Sequence, residues 1–407
     1  MGKRNRKTKG ARSSADEREF SAGPLRVRQR GTHVEMTNVA TAGQMASVRK
    51  ALAEWKRGAP SELEQDAERV LEALQDIDPV TVLGVAFFHY HLRPVLAGEA
   101  METSYAIIEH LALLLAKQER AGQVWVVDQT AGDALFDYLD HHLDAAIQLA
   151  LPDMSVDPDE KADPFDDVVF NVRMWEMTVR APRYDHQEKE LLRKLFDPFA
   201  HELRAALGFT CEDAMNIESA LITRIEATAR EGLAQARQTL DDVDQALRGK
   251  EPVNDEVAGL VDLLRQRPDR DPMETLRGLM GAWVGFRTGD SLAPTVDELT
   301  DETGLAKDVV KRALGALTTT QSDLTNYAYA VPLSPLKSKP LIAIADRFLM
   351  PSPGLFLPAL QIRFEQTLKA RTAWEAYQTH RGAFAEERAA ALFVRVLPGA
   401  IVRTNLK

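Results

Sequence analysis

The chain has 407 residues, 45% of them apolar and 27% charged, with a formal net charge of −11. These are values of a water-soluble globular protein with room for roughly two to four domains, and the acidic balance disfavours nucleic acid binding by the whole surface. A single cysteine, Cys211, excludes an intrachain disulfide and fits a reducing, cytoplasmic compartment.

The average hides an asymmetry. Residues 1–31 hold ten Lys and Arg against three acids, which leaves about −18 for the remainder. Residues 1–35 are poor in apolar side chains, so the composition predicts a basic disordered tail. Such a tail is either solvated or a tether to DNA through phosphate contacts. No apolar run follows its first cations, so it is not a secretory signal. The apolar stretches Val80–Phe88 and Ala106–Ala116 are too short to span a bilayer, and Glu109 and His110 interrupt the second. No membrane partner is expected.

From residue 36 to residue 290 the hydrophobic spacing is helical, and strand-like alternation is scarce. Ser61 and Glu64 match a capping box, opening a helix that Asp78-Pro79 breaks. A second helix follows and ends before Pro94, and a third runs from about Ser104 to Glu119. QVWVV at 123–127 fits a short strand or the start of the next helix, which continues to Pro152. Residues 152–165 are acidic and Pro-rich, a loop between subdomains. Helices resume over 168–179 and 187–207, where Gly208 ends the run. Thr210 and Asp213 then cap a long helix to Leu247, and shorter helices are predicted near 255–265 and 273–286.

Residues 294–317, PTVDELTDETGLAKDVVKRALGAL, give the sharpest local pattern. Thr295 and Glu298 match a capping box, and Gly304 sits where a turn needs positive φ. Val296, Leu299, Leu305, Val309, Ala313, Leu314 and Leu317 supply a small core. This is a helix-turn-helix pattern. It resembles winged-helix domains, with residues 318–331 as the wing. Lys307, Lys311 and Arg312 are the candidate DNA contacts, yet five acids surround them and the segment nets −2. A structural or protein-contact role is the other reading. Residues 341–352, flanking Asp346, predict a small hairpin with Pro340, Pro351 and Pro353 at its edges. A helix over about 356–377 follows.

Complete catalytic signatures are missing. His89 and His91 fall on opposite helix faces, and His141 and His142 diverge by about 100°. His201-Glu202 begins like a zincin helix, but Ala205 stands where the second histidine belongs. No phosphate-binding glycine loop or nucleophile elbow occurs. Cys211 has no ordered His–Asn companion and is expected to be a buried, inert thiol.

The terminal stretch carries a family resemblance. Arg381-Gly382-Ala383-Phe384-Ala385-Glu386, followed by Ala389, Leu392, Leu397-Pro398 and Val402-x-x-Asn405-Leu406, resembles the first helix and strand of nuclease-related, restriction-endonuclease-like (PD-(D/E)xK) domains. The resemblance implies that Glu386, with Glu387 as its alternative, is the helix glutamate near the metal. It also implies that an aspartate and a Glu-x-Lys pair would follow on later strands and bind Mg²⁺ or Mn²⁺ to activate water. Neither motif occurs after Glu386 in these residues, so no metal cofactor is expected for this chain alone.

The fold class expected is mainly α. A tail (1–35) leads into helical subdomains (36–152 and 166–290), a winged-helix-like module (291–335), a hairpin and connecting helix (336–378) and the start of a nuclease-like domain (379–407). The function expected is the regulatory or recognition part of a bacterial nuclease-related protein, catalytically silent as given. The alternative is a complete non-enzymatic regulator or adaptor whose winged helix binds DNA or a protein partner.

Overall fold

The computed structural model describes residues 17–22, 25–30, 33–38, much of 50–97, 105–117, 135, 185–266, 271–325 and 334–396. Over these residues the protein is mainly helical, as its hydrophobic spacing predicts. No helix among them is long and apolar enough to cross a membrane.

Within and just past the segment expected as a basic tail, the structure places three strands. Strands β1 (Glu17–Ala22), β2 (Leu25–Arg30) and β3 (His33–Asn38) form an antiparallel meander. Its register aligns Phe20, Val27 and Met36 in one row and Glu19, Arg28 and Glu35 in another. Composition alone averaged this alternation away.

Two expectations are corrected. Ser61 is not a cap: it is itself helical, and its hydroxyl accepts from Gln65 Nε2 at 3.4 Å. Helix α1 (Pro79–Ala97) does not stop before Pro94 but runs through it, without that residue's N–H donor. Its start is well defined. Asp78 accepts from the Thr81 backbone N–H at 2.8 Å, which makes the Asp78-Pro79 breaker a cap and first-turn proline. Helix α2 (Tyr105–Ala116) follows. The predicted 123–127 strand, the 152–165 loop and the 168–179 helix lie outside the described residues.

Helix α3 (Asp185–Phe196) and helix α4 (Ala200–Leu207) are separated by a 3₁₀ turn at Asp197–Phe199, where Pro198 interrupts the predicted single helix. Gly208 closes α4 with φ 82°. Helix α5 (Cys211–Leu247) opens on the predicted Thr210–Asp213 capping box and continues for 37 residues, about 55 Å. Helices α6 (Asp255–Arg265) and α7 (Pro272–Thr288) pack on its C-terminal half.

The predicted helix pair is present as α8 (Val296–Thr303) and α9 (Lys307–Leu317), with Gly304 at φ 68° between them. The segment expected as a wing behaves differently. Gln321–Thr325 forms a short helix, α10, and residues 326–333 lie outside the described set. The hairpin lies further on, as β4 (Ile342–Ile344) and β5 (Arg347–Leu349). Its two-residue loop places Ala345 at φ 54°. Helix α11 (Phe356–Lys369) and helix α12 (Trp374–Val396) replace the predicted 356–377 helix. Because α12 is continuous, the expected boundary at 378/379 falls inside one helix.

Two apolar clusters organise the molecule. One joins α1, α2, the C-terminal half of α5, α6 and α7. The other joins α3, α4, the N-terminal half of α5, α8, α9, α11 and Tyr377 of α12. Helix α5 belongs to both. In the first cluster α1 and α7 touch through backbone: a methyl on Gly285 would lie 2.4 Å from Gly84 O and from Val85 Cα.

Candidate functional site

The helix pair is held to the body at several points. The Thr295 hydroxyl accepts from Glu298 N at 3.3 Å, and Glu298 Oε2 accepts from Thr295 N at 2.7 Å. That backbone donor, with Arg224 nearby, holds the Glu298 carboxyl below its ordinary value despite partial burial. Arg224 of α5 reaches Glu298 at 3.6 Å and also pairs with Glu302. The hairpin closes on the other side. Arg347 bridges back to Thr295, Phe348 N donates to Pro294 O at 2.9 Å, and Arg347 Nη1 donates to Ala293 O at 3.0 Å. Thr319 N donates to Leu341 O at 2.8 Å, which ties the end of α9 to the strand side. The buried core of the pair is Leu299, Val310, Ala313, Leu314 and Leu317. Val310 takes the central place expected of Val309, which is half-buried.

The three candidate DNA contacts differ in their surroundings. Lys307 is exposed and paired with Asp297. Arg312 rests across the turn between α4 and α5, so that a methyl on Gly208 would fall 2.3 Å from its Cδ. Lys311 is exposed, and among the described residues no ion pair engages it. Asp301, Glu302 and Asp308 are exposed beside them.

Helix α12 is anchored at its start and open at its end. Tyr377 is fully buried, stacked on Phe196 at 5.4 Å and edge-on to Phe199. Its hydroxyl donates to Glu365 Oε1 at 2.6 Å, and Arg381 approaches the same oxygen at 3.4 Å. Burial, then the Glu365 carboxylate, raises the phenol above its ordinary pKa. His380 Nε2 lies 2.8 Å from the Lys194 carbonyl. Among the described residues beyond Phe384, only Ala390 is half-buried. Leu392, Phe393, Val394 and Val396 are each 53–63% exposed. Glu386 and Glu387 are exposed on this open part. Among the described residues no group of three or more His, Cys, Asp or Glu could hold a metal ion. The strand expected after α12 lies outside the described residues.

Cys211 is buried, and its thiol is pushed up to about 12 by burial first and then by Asp197 and Glu212. It is therefore a poor nucleophile. A polar cluster not foreseen from sequence lies between α3 and α5. Lys189 Nζ contacts Glu218 Oε2 at 2.7 Å, Asp185 Oδ2 at 3.1 Å and Ser219 Oγ at 2.9 Å. Glu218 is buried, and burial raises its carboxyl to about 7 against the opposing pull of Lys189. The local signal was Asp185 and Lys189 at helical i,i+4 spacing. Glu218, 29 residues from Lys189, had no local signal. This cluster fastens two helices.

No protein-family model, no curated protein and no solved structure matches the chain.

Proposed function

We propose that this chain is a recognition and scaffolding region of a nuclease-related protein, and that it is catalytically silent by itself. The observation that carries the reading is α12: its first turns are locked by Tyr377, while its last turns present Leu392, Phe393, Val394 and Val396 to solvent. A helix end apolar on several sides is the pattern of a helix packed within a fold. The covering unit is the α/β nuclease-like domain that the resemblance implies. Glu386 stands exposed on the same helix, so any metal site there needs acids brought by other strands.

The helix pair with its hairpin supports a winged-helix module. The second strand pairing back to Thr295, just ahead of α8, is the arrangement such a module uses. Its charges favour a protein contact over DNA, since Lys307 is paired and Arg312 lies along the α4–α5 turn.

A cleavage assay on this chain with Mg²⁺ or Mn²⁺ and duplex DNA tests the silent state. No metal-dependent cleavage is expected; cleavage abolished by Glu386→Ala overturns the proposal. A DNA titration over several salt concentrations tests the second point. Weak binding is expected, unchanged by Lys311→Ala with Arg312→Ala. Tight binding with a steep salt slope that both substitutions remove assigns the module to DNA instead.

A further inference from the structure

A groove of about 570 Å³ runs between the C-terminal half of α5 and the start of α7. On α5, Arg237, Leu240, Asp241, Asp244 and Arg248 follow at i, i+3, i+4, i+7 and i+11, one continuous helix face. Across from them stand Met273 and Arg277, from the first and second turns of α7. Leu240 is buried and Met273 half-buried, so a small apolar patch lies within a mostly charged lining.

Two of the three guanidinium groups are not spent on neighbours. Arg248 pairs with Asp244 at 2.9 Å. Among the described residues no ion pair or hydrogen bond engages Arg237 or Arg277. In a chain of net charge −11, the groove lining holds three arginines against two aspartates, and Arg237 and Arg277 are unengaged. Guanidinium forks match phosphate oxygens in two-point contacts, and the first turn of α7 adds the positive end of a 17-residue helix. The volume lies within the roughly 300–1,000 Å³ of small-molecule sites. It exceeds the need of a bare phosphate. Asp241 on the rim accepts hydrogen bonds and has no phosphate role, which suits a ring amine or sugar hydroxyl.

We propose that this groove binds a nucleoside phosphate, with Arg237 and Arg277 on the phosphates, the base over Leu240 and Met273, and Asp241 accepting from the nucleoside. The site lies in the other cluster from α12 and rests on no part of the nuclease reading.

Isothermal titration of the full chain with ATP, with AMP and with inorganic triphosphate tests it. ATP is expected to bind, more tightly than inorganic triphosphate. Arg237→Ala and Arg277→Ala should each weaken ATP by about tenfold or more, the effect of losing a charge-assisted contact. Asp241→Asn should weaken ATP and AMP while leaving inorganic triphosphate unchanged. Arg265→Ala, an exposed arginine that does not line the groove, should change nothing. Equal affinity for ATP and inorganic triphosphate overturns the nucleoside assignment. Absence of binding by all three, or binding unaffected by both groove arginines, overturns the site.

Discussion

The two ends of α5 are held by different physics. At its C-terminal end, α1 and α7 meet at Gly84 and Gly285, and Gly232 of α5 closes on Val284. Contact there is a matter of shape, with backbone against backbone and mostly aliphatic side chains, joined by Phe87 and Phe88, filling the remainder. At its N-terminal end the packing is aromatic, with Phe196, Phe199, Phe209, Phe364 and Tyr377 interlocked. Ion pairs from Lys189 and Arg224 reach across the helices there. A close-packed end leaves no space for one added atom, whereas an aromatic and ionic end senses charge and pH.

The largest effect expected is at the first end. Gly285→Ala adds a methyl 2.4 Å from backbone atoms of α1, which cannot rotate away. Overpacking of this kind outweighs the helix propensity that alanine gains, so a loss of about 3 kcal/mol or more is expected in urea unfolding. A variant as stable as the parent would mean that the helices separate freely, and the contrast between the ends would collapse.

The second effect belongs to the other end. Glu218 carries a raised folded-state value of about 7. Between its ordinary value and that one, the folded chain binds more protons than the unfolded chain. Stability from this group is therefore present at low pH and falls as pH rises through about 7. Wild-type protein should be less stable at pH 8 than at pH 5, with on the order of 2 kcal/mol traceable to this carboxyl. Glu218→Gln should flatten that part of the profile. Parallel profiles for the two proteins would show that the carboxyl stays charged throughout.

The smallest effect tests the seam between the ends. The β4–β5 hairpin contributes Ile342 and Leu349 to one cluster and is flanked by Leu341 and Met350 of the other. Its loop holds Ala345 at φ 54°, a conformation glycine adopts without steric cost. Ala345→Gly should stabilise the protein by about 0.5 kcal/mol, the relieved strain less the added freedom of the unfolded chain. Thermal unfolding measures it, and a lowered midpoint would deny the strain.

Legibility in the sequence followed the reach of each interaction. The caps at Thr210 and Thr295 and the turns at Gly208 and Gly304 were readable because their partners lie within four residues. Ser61 shows the limit of that signal, since Ser-x-x-Glu also fits inside a continuing helix. The strands within 17–38 were hidden by reading that segment through its composition. What fixes the candidate sites was not readable at all. Arg224 meets Glu302 across 78 residues, Arg312 lies on a turn more than a hundred residues earlier, and Gly84 waits for Gly285 across about two hundred. No local periodicity encodes such meetings. The exposure of Glu386 likewise depends on where α12 leaves the body, which Tyr377 and Phe196 decide.

The unbroken length of α5 also bears on how the molecule melts. Ile225 packs against both apolar clusters, and the hydrogen-bond ladder passes through it without a cap, kink or proline. Melting one cluster alone would require the helix to fray from one end to its middle, stripping backbone bonds that the other cluster keeps in place. The described core is therefore one cooperative unit, and a cut near Ile225 yields two incomplete cores rather than two independent domains.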